Sequence, residues 1–259
     1  MSFTAMLIAN RGEIAIRIAR AAADLGLRTV AVYSPDDAAS LHTRIADEAC
    51  VLPGSGARAY LDAEAIIESA IANGCDAIHP GYGFLAERGD FARRCAEQGL
   101  AFIGPNVEHL ELFGDKARAR AAAAAADVAV PRGLDHATTV ESAAEFFDSL
   151  GAGGSMIIKA LAGGGGRGTR IVTARDDVES AFARCQSEAK MAFGIEDVYV
   201  EDFIPRARHV EVQILGDLTG AIAHLGEREC SIQRRHQKLI EIAPAPCLAD
   251  DLRTQIIEA

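Results

Sequence analysis

The sequence predicts an α/β protein that begins with a doubly wound parallel domain and ends in an antiparallel stretch. Three observations carry this. Short apolar runs alternate with helically spaced segments from Ala5 to Ile103. A glycine-rich turn lies between two strand-like runs, Met156 to Leu161 and Thr169 to Thr173. From Arg208 the pattern changes to strict alternation. Strand–helix alternation implies parallel strands with right-handed crossovers, whereas strict alternation implies a sheet with one solvated face.

The elements follow in order. Ala5 to Ala9 reads as a buried strand, and Glu13 to Leu25 as a helix, with Gly26 where its C-cap belongs. Thr29 to Tyr33 is the next strand. A helix at Ala63 to Ala72, a strand near Asp76 to His79, a helix near Asp90 to Glu97 and a strand at Ala101 to Ile103 complete the first domain, assigned to residues 1–113. Gly114-Asp115-Lys116 opens an alanine-rich helix ending near Asp127. A smaller unit to residue 203 holds a helix at Val140 to Leu150, the two strands around the glycine turn, a helix from Asp176 to about Phe193 and a strand at Val198 to Glu201. Residues 204–259 begin a third segment, in which His209 to Leu215 and Ala221 to Leu225 flank a turn as an antiparallel hairpin. Leu252 to Ala259 reads as the opening of an amphipathic helix without a stop signal, so the sequence is expected to continue.

Composition narrows the function. Of 259 residues, 49% are hydrophobic and 24% charged, the balance of a soluble globular protein. A net charge of −11 disfavours nucleic acid as a partner. The six cysteines are scattered without a C-x-x-C pair, which suits reduced cytoplasmic thiols better than zinc or disulfides. No leader is evident, and the alanine run is too short to cross a bilayer, so no membrane partner is expected.

Four motifs carry chemistry, the second of them a pair of lysines. In Ala162 to Gly168, glycines lacking Cβ let successive N–H groups turn toward one anion. The loop joins two strands, so it is neither a P-loop nor a dinucleotide turn, although a flexible hairpin linker is the alternative. Lys159 lies in an apolar strand, a costly position unless an anion or a carboxylate meets it; an edge-strand lysine facing water is the alternative. Lys116 sits in a helix's first turn, where the dipole disfavours a cation and hints at an external anion. Glu227 to Lys238 mixes donors suited to ribose, phosphate and a small oxyanion; a solvated charge run is the alternative. His79 to Leu85 follows a strand and is either a ligand loop or a structural turn.

These motifs in this order resemble biotin carboxylase, the ATP-using module of biotin-dependent carboxylases. Matching segments are Ile8 to Ile14, His79 to Leu85, Phe102 to Pro105, Gly114 to Lys116, Lys159 with the glycine loop, Arg208 to Glu211, Gln233 to Lys238 and Ala243 to Pro246. The glycine loop alone would suggest only the wider ATP-grasp superfamily. Together the segments look like the start of an acyl-CoA carboxylase alpha chain. Ala162, Asp202 and Ile242 stand where the family more often has glycine, lysine and glutamate.

The resemblance implies a Rossmann-like amino-terminal domain, an ATP-grasp lid and the start of the antiparallel ATP-grasp domain. It implies that Lys116 and Lys159 hold ATP phosphates and that Gly163, Gly164, Gly165, Gly166 and Gly168 close over the triphosphate. Glu201 and the backbone near Ile204 would face adenine, while His209, Gln233 and His236 contact ribose and phosphates. Lys238 would sit near bicarbonate and the γ-phosphate; with His236 it is the expected catalytic pair. The implied reaction makes carboxyphosphate from ATP and bicarbonate, then carboxylates carrier-bound biotin. Implied partners are a biotin carboxyl carrier, a carboxyltransferase and, at full length, a second copy of the chain. Magnesium ligands are expected beyond this sequence, so the chain alone is expected to have no turnover. Acyl specificity would lie in another domain or subunit. The competing readings are another ATP-grasp ligase and a non-catalytic ATP-binding or assembly module.

Overall fold

A computed structural model describes residues 3–134, 136–161, 168–217, 219–234 and 237–259. The expected contacts of Gly163, Gly164, Gly165, Gly166 and His236 therefore lie outside the described residues. The chain divides into two compact units, Met1–Gly114 and Asp115–Ala259.

The first unit alternates strand and helix: β1 (Ala5–Ile8), α1 (Gly12–Asp24), β2 (Arg28–Tyr33), α2 (His42–Ile45), β3 (Glu48–Val51), α3 (Gly56–Ala59), α4 (Ala63–Ala72), β4 (Ala77–His79), α5 (Gly89–Glu97), β5 (Ala101–Phe102) and α6 (Val107–Gly114). The strands form one parallel sheet in the order β3-β2-β1-β4-β5. Period-two alternation splits β1 between two cores. Ala5, Leu7 and Ala9 join a cluster with Ile66 of α4 and Phe91 of α5. Met6 and Ile8 join another with Ile18 and Ala22 of α1. Burial on both faces is why the strand reads as one continuous apolar run. The sequence pattern did not mark α2, β3, α3 or α6. Three of the four β3 residues are exposed, so the strand lacks the apolar signal that marks its neighbours.

The second unit runs α7 (Lys116–Ala125), α8 (Val140–Ser149), β6 (Met156–Ala160), β7 (Thr169–Val172), α9 (Val178–Phe193), β8 (Val198–Asp202), β9 (Val210–Gly216), β10 (Ile222–Arg234), β11 (Gln237–Ile242) and α10 (Asp250–Glu258). It holds two antiparallel sheets, β7-β6-β8 and β11-β10-β9. Side chains fix the helix starts. Asp115 accepts from the Ala117 and Arg118 N–H groups at 3.0 and 3.1 Å, and Thr139 accepts from Ser142 N–H at 3.2 Å. In the first sheet Met156, Ile158, Val198 and Val200 bury against Phe146 of α8 and Phe182 of α9. Ile157, Lys159, Tyr199 and Glu201 share the opposite face, because Ile157 pairs with Glu201 and Lys159 with Tyr199.

The charged run from Glu227 is a strand for most of its length, since β10 continues through it to Arg234 and β11 begins at Gln237. The hairpin expected to end near Leu225 is thus longer and three-stranded. No helix among the described residues is long and apolar enough to cross a membrane.

Candidate functional site

The lysine in the apolar strand meets a carboxylate. Lys159 Nζ donates to Glu201 Oε1, and Arg120 Nη1 of α7 donates to Glu201 Oε2 at 3.0 Å. The Glu201 side chain is 9% exposed and Arg120 11%, whereas Lys159 keeps 30% of its surface open. A nearly buried carboxylate needs such partners, because an isolated charge out of water is strongly disfavoured.

Immediately beyond β8, the segment Phe203–Val210 walls an open cavity of about 570 Å³ with Ser231 and Gln233. Three of the candidate residues, Ile204, His209 and Gln233, line it together. Gln233 Nε2 and His209 Nδ1 lie 2.8 Å apart, and Gln233 Nε2 also donates to Cys230 O at 2.9 Å. His209 N–H donates to Ser231 Oγ at 2.7 Å. These bonds hold the imidazole and amide at the cavity wall.

A third cluster centres on Glu211, which faces Arg228 across the β9–β10 ladder. Lys238 Nζ donates to Glu211 Oε2, and Arg228 Nε donates to Oε1 at 3.1 Å. His209 Nε2 stands 3.6 Å from Glu211 Oε2, joining this cluster to the cavity wall. Burial pushes the Glu211 carboxyl up, but Lys238 and Arg228 outweigh it and hold it down at about 2. Lys238 is pushed above its usual range, chiefly by the bond to Glu211, and stays cationic.

The structure thus groups Lys159 with Glu201, Ile204 with His209 and Gln233, and Lys238 with Glu211. Lys116 is the first residue of α7, directly after the Asp115 cap. Gly168 has φ +61, and its carbonyl accepts from Ala160 N–H at 2.7 Å, closing the described end of the β6–β7 hairpin. Arg120, Glu211 and Arg228 were absent from the sequence candidates. Glu211 carried a legible signal, since it sits two residues from His209 in an alternating strand and shares its face. Arg120 carried none, because it lies in an alanine-rich helix that shows little amphipathic pattern.

One group of described residues could hold a metal, namely Glu211, Cys230 and Glu241. It does not fit magnesium, which demands oxygen ligands in octahedral array. A thiol is one of the three donors, and Glu211 is already engaged by Lys238 and Arg228.

The first unit has a polar cluster of its own, where strand ends of α/β sheets commonly bind ligands. Arg11 Nε and Nη2 each donate to Asp37 at 2.5 Å, and Tyr60 Oη donates to Asp37 Oδ2 at 2.8 Å. The Arg11 guanidinium holds the Asp37 carboxyl well below the usual carboxylate range. The His79–Leu85 loop is tied to the same strand end: Asn10 Nδ2 donates to Pro80 O at 2.7 Å and to Tyr82 O at 2.9 Å. These groups satisfy one another, which gives the loop a structural turn's bonding.

Two family models cover the chain. "Biotin carboxylase, N-terminal domain" matches residues 2–110, and "Carbamoyl-phosphate synthase L chain, ATP binding domain" matches residues 115–259. The chain belongs to the biotin carboxylase family. It is 53% identical over 262 residues to pyruvate carboxylase of Bacillus subtilis, covering 100% of this chain and 23% of that protein. It is 47% identical over 261 residues to biotin carboxylase of Nostoc, covering 100% of this chain and 58% of that protein. Among solved structures, the biotin carboxylase domain of Hydrogenobacter thermophilus 2-oxoglutarate carboxylase aligns with a TM-score of 0.95 at 43% identity. That alignment spans 100% of this chain and 57% of the other, which was solved as a dimer with MgADP, ADP and bicarbonate. A Campylobacter jejuni biotin carboxylase nucleotide complex aligns equally well, with a TM-score of 0.95 at 42% identity over 99% of this chain and 58% of its own. The chain therefore spans somewhat over half of its biotin carboxylase relatives and under a quarter of the pyruvate carboxylase.

Proposed function

We propose that this chain grips ATP for the carboxylation of carrier-bound biotin by bicarbonate. In that reaction a bicarbonate oxygen attacks the γ-phosphorus and ADP leaves. The resulting carboxyphosphate releases carbon dioxide and phosphate, and the biotin ureido nitrogen loses a proton as it takes up the carbon. The observation that carries the reading is the joint lining of one cavity by Ile204, His209 and Gln233, with Lys159 and Glu201 on the sheet leading to it. Phosphoryl transfer rests mostly on positioning and charge neutralisation, so clustered cations suit it. Lys116 and Lys159 would meet phosphate oxygens, as would Gly163 to Gly166 and Gly168 through their N–H groups. Ile204 would meet the base beside Glu201. His209 and Gln233 would orient the ribose, with His236 nearby. Lys238 would stand by the bicarbonate and γ-phosphate.

The reading brings partners with it: a biotin carboxyl carrier, a carboxyltransferase and a second copy of the full-length protein. MgADP and bicarbonate in the Hydrogenobacter structure support the same ligands here. The match of residues 2–110 to a biotin carboxylase domain favours biotin over the acceptors of other ATP-grasp ligases. Titration calorimetry with MgATP tests the binding half. Lys159→Met and His209→Ala should each weaken it about tenfold or more, equivalent to about 1.4 kcal/mol. Wild-type affinity in both variants would end this reading. In the full-length gene product, ADP release should rise with both bicarbonate and biotin.

A further inference from the structure

We propose that Glu229 is a positioning residue that sets the wall of the nucleotide cavity, acting on His209 through the Ser231 hydroxyl. The inference rests on the nucleotide reading above, because His209 is its point of action.

Glu229 is 7% exposed and faces Val210 across the β9–β10 ladder. Both of its carboxylate oxygens are engaged. Oε2 accepts from Arg208 Nε at 2.8 Å and from Nη2 at 2.5 Å. Oε1 accepts from Ser231 N–H at 3.1 Å and from the Ser231 hydroxyl. The Ser231 hydroxyl and the Arg208 guanidinium hold the carboxyl below the usual carboxylate range, so it is ionised at neutral pH. An ionised carboxylate can only accept, so the hydroxyl proton of Ser231 points at Glu229. The lone pairs of that hydroxyl are then turned toward other donors, and His209 N–H takes one at 2.7 Å.

This relay replaces a bond of the sheet. Cys230 N–H donates to His209 O at 2.7 Å, and in a regular antiparallel pair His209 N–H would return the bond to Cys230 O. It goes instead to Ser231 Oγ, and Cys230 O accepts Gln233 Nε2 at 2.9 Å. The exchange leaves a carbonyl for Gln233, whose Nε2 also stands 2.8 Å from His209 Nδ1. The β10–β11 register shifts between Glu229 and Ile232, so Cys230 and Ser231 sit in an irregular stretch of the kind that re-aims side chains. Arg208 extends the network: Nη1 donates to Cys247 O at 3.1 Å and Nη2 to Pro246 O at 2.7 Å, tying the segment after β11 to the same carboxylate. Arg208, His209, Ser231 and Gln233 all line the cavity. One nearly buried carboxylate thus reaches Arg208 and Ser231 directly and His209 through a hydroxyl.

The test follows the His209 backbone amide by NMR hydrogen exchange and MgATP affinity by calorimetry, both in the full chain. Ser231→Ala should speed His209 amide exchange about tenfold or more and weaken MgATP about fivefold. Ser231→Thr keeps the hydroxyl and should restore both to within about twofold. Glu229→Gln keeps the size, frees the hydroxyl to turn and should move both readouts in the direction of Ser231→Ala. In the His209→Ala background, Ser231→Ala should cost less than about twofold in affinity, because its effect runs through the imidazole. Equal losses in both backgrounds would place Ser231 on the nucleotide itself and overturn the proposal. So would native exchange in Ser231→Ala or Glu229→Gln, or faster exchange with native affinity while His209→Ala loses its own. If His209→Ala binds normally, the nucleotide reading itself falls and this inference with it. Should Glu229→Gln not fold, Glu229→Asp takes its place: it keeps the charge but withdraws the oxygens from Ser231, and native exchange at His209 would overturn the proposal.

Discussion

Asn10 and Gly81 are packed so closely that a Cβ on the glycine would stand 2.6 Å from Asn10 Nδ2. The same amide nitrogen donates to Pro80 O and Tyr82 O on either side of Gly81. Gly81 also has φ +66, where a side chain is strained. Gly83 shares that φ but has open space around its would-be Cβ. Gly83→Ala should therefore cost only the backbone strain of about 1–2 kcal/mol. Gly81→Ala should cost that plus the displaced Asn10 bonds, about 1 kcal/mol each. Urea unfolding of the two variants measures the difference, and equal losses would contradict the close approach.

Glu211 sets an acid limit on the second unit. Its carboxyl, ordinarily 4.5, is held down to about 2 in the folded chain. A depressed folded value means that the unfolded chain binds the proton first as pH falls. The stability Glu211 confers is then fully present above about pH 4.5 and disappears toward pH 2. Glu211→Gln should flatten stability against pH in that window, by about 1–3 kcal/mol after solvent screening. Chemical unfolding at stepped pH measures this, and an unchanged slope would refute the pairing with Lys238 and Arg228.

The cysteines divide by burial. Desolvation pushes Cys95 up to about 12 and Cys185 and Cys75 up to about 11, so few of these thiols ionise at neutral pH. Cys247 is exposed. Brief alkylation of the native chain, mapped by mass spectrometry, should modify Cys247 first and leave Cys95 and Cys185 intact until denaturant is added. Early labelling of Cys185 would show that the β6–β8 core opens.

Much of the fold was legible because it rests on local pattern. The apolar run at Ala5 to Ala9 announced a buried strand, and the helices expected to open at Gly114-Asp115-Lys116 and at Val140 begin at Lys116 and Val140. The stretch from Glu227 to Arg234 was not legible as a strand. Its charges occupy both faces, with Glu227 and Glu229 meeting Arg253 and Arg208 while Arg228 meets Glu211. A strand polar on both sides has no hydrophobic alternation to read.

By itself the sequence determined the parallel first domain and the antiparallel strands after Arg208, and it left Lys159 either to meet an anion or carboxylate or to face water on an edge strand. Apolar periodicity and the unfavourable burial of a lone charge are properties of short segments, and they survive without tertiary context. Only the tertiary structure decided that Glu201 meets Lys159, that Arg120 meets Glu201, and that Lys238 is tied to Glu211. Those pairs are separated by 42, 81 and 27 positions. Strand register and helix packing choose such partners, and neither is encoded in the spacing of the residues they join.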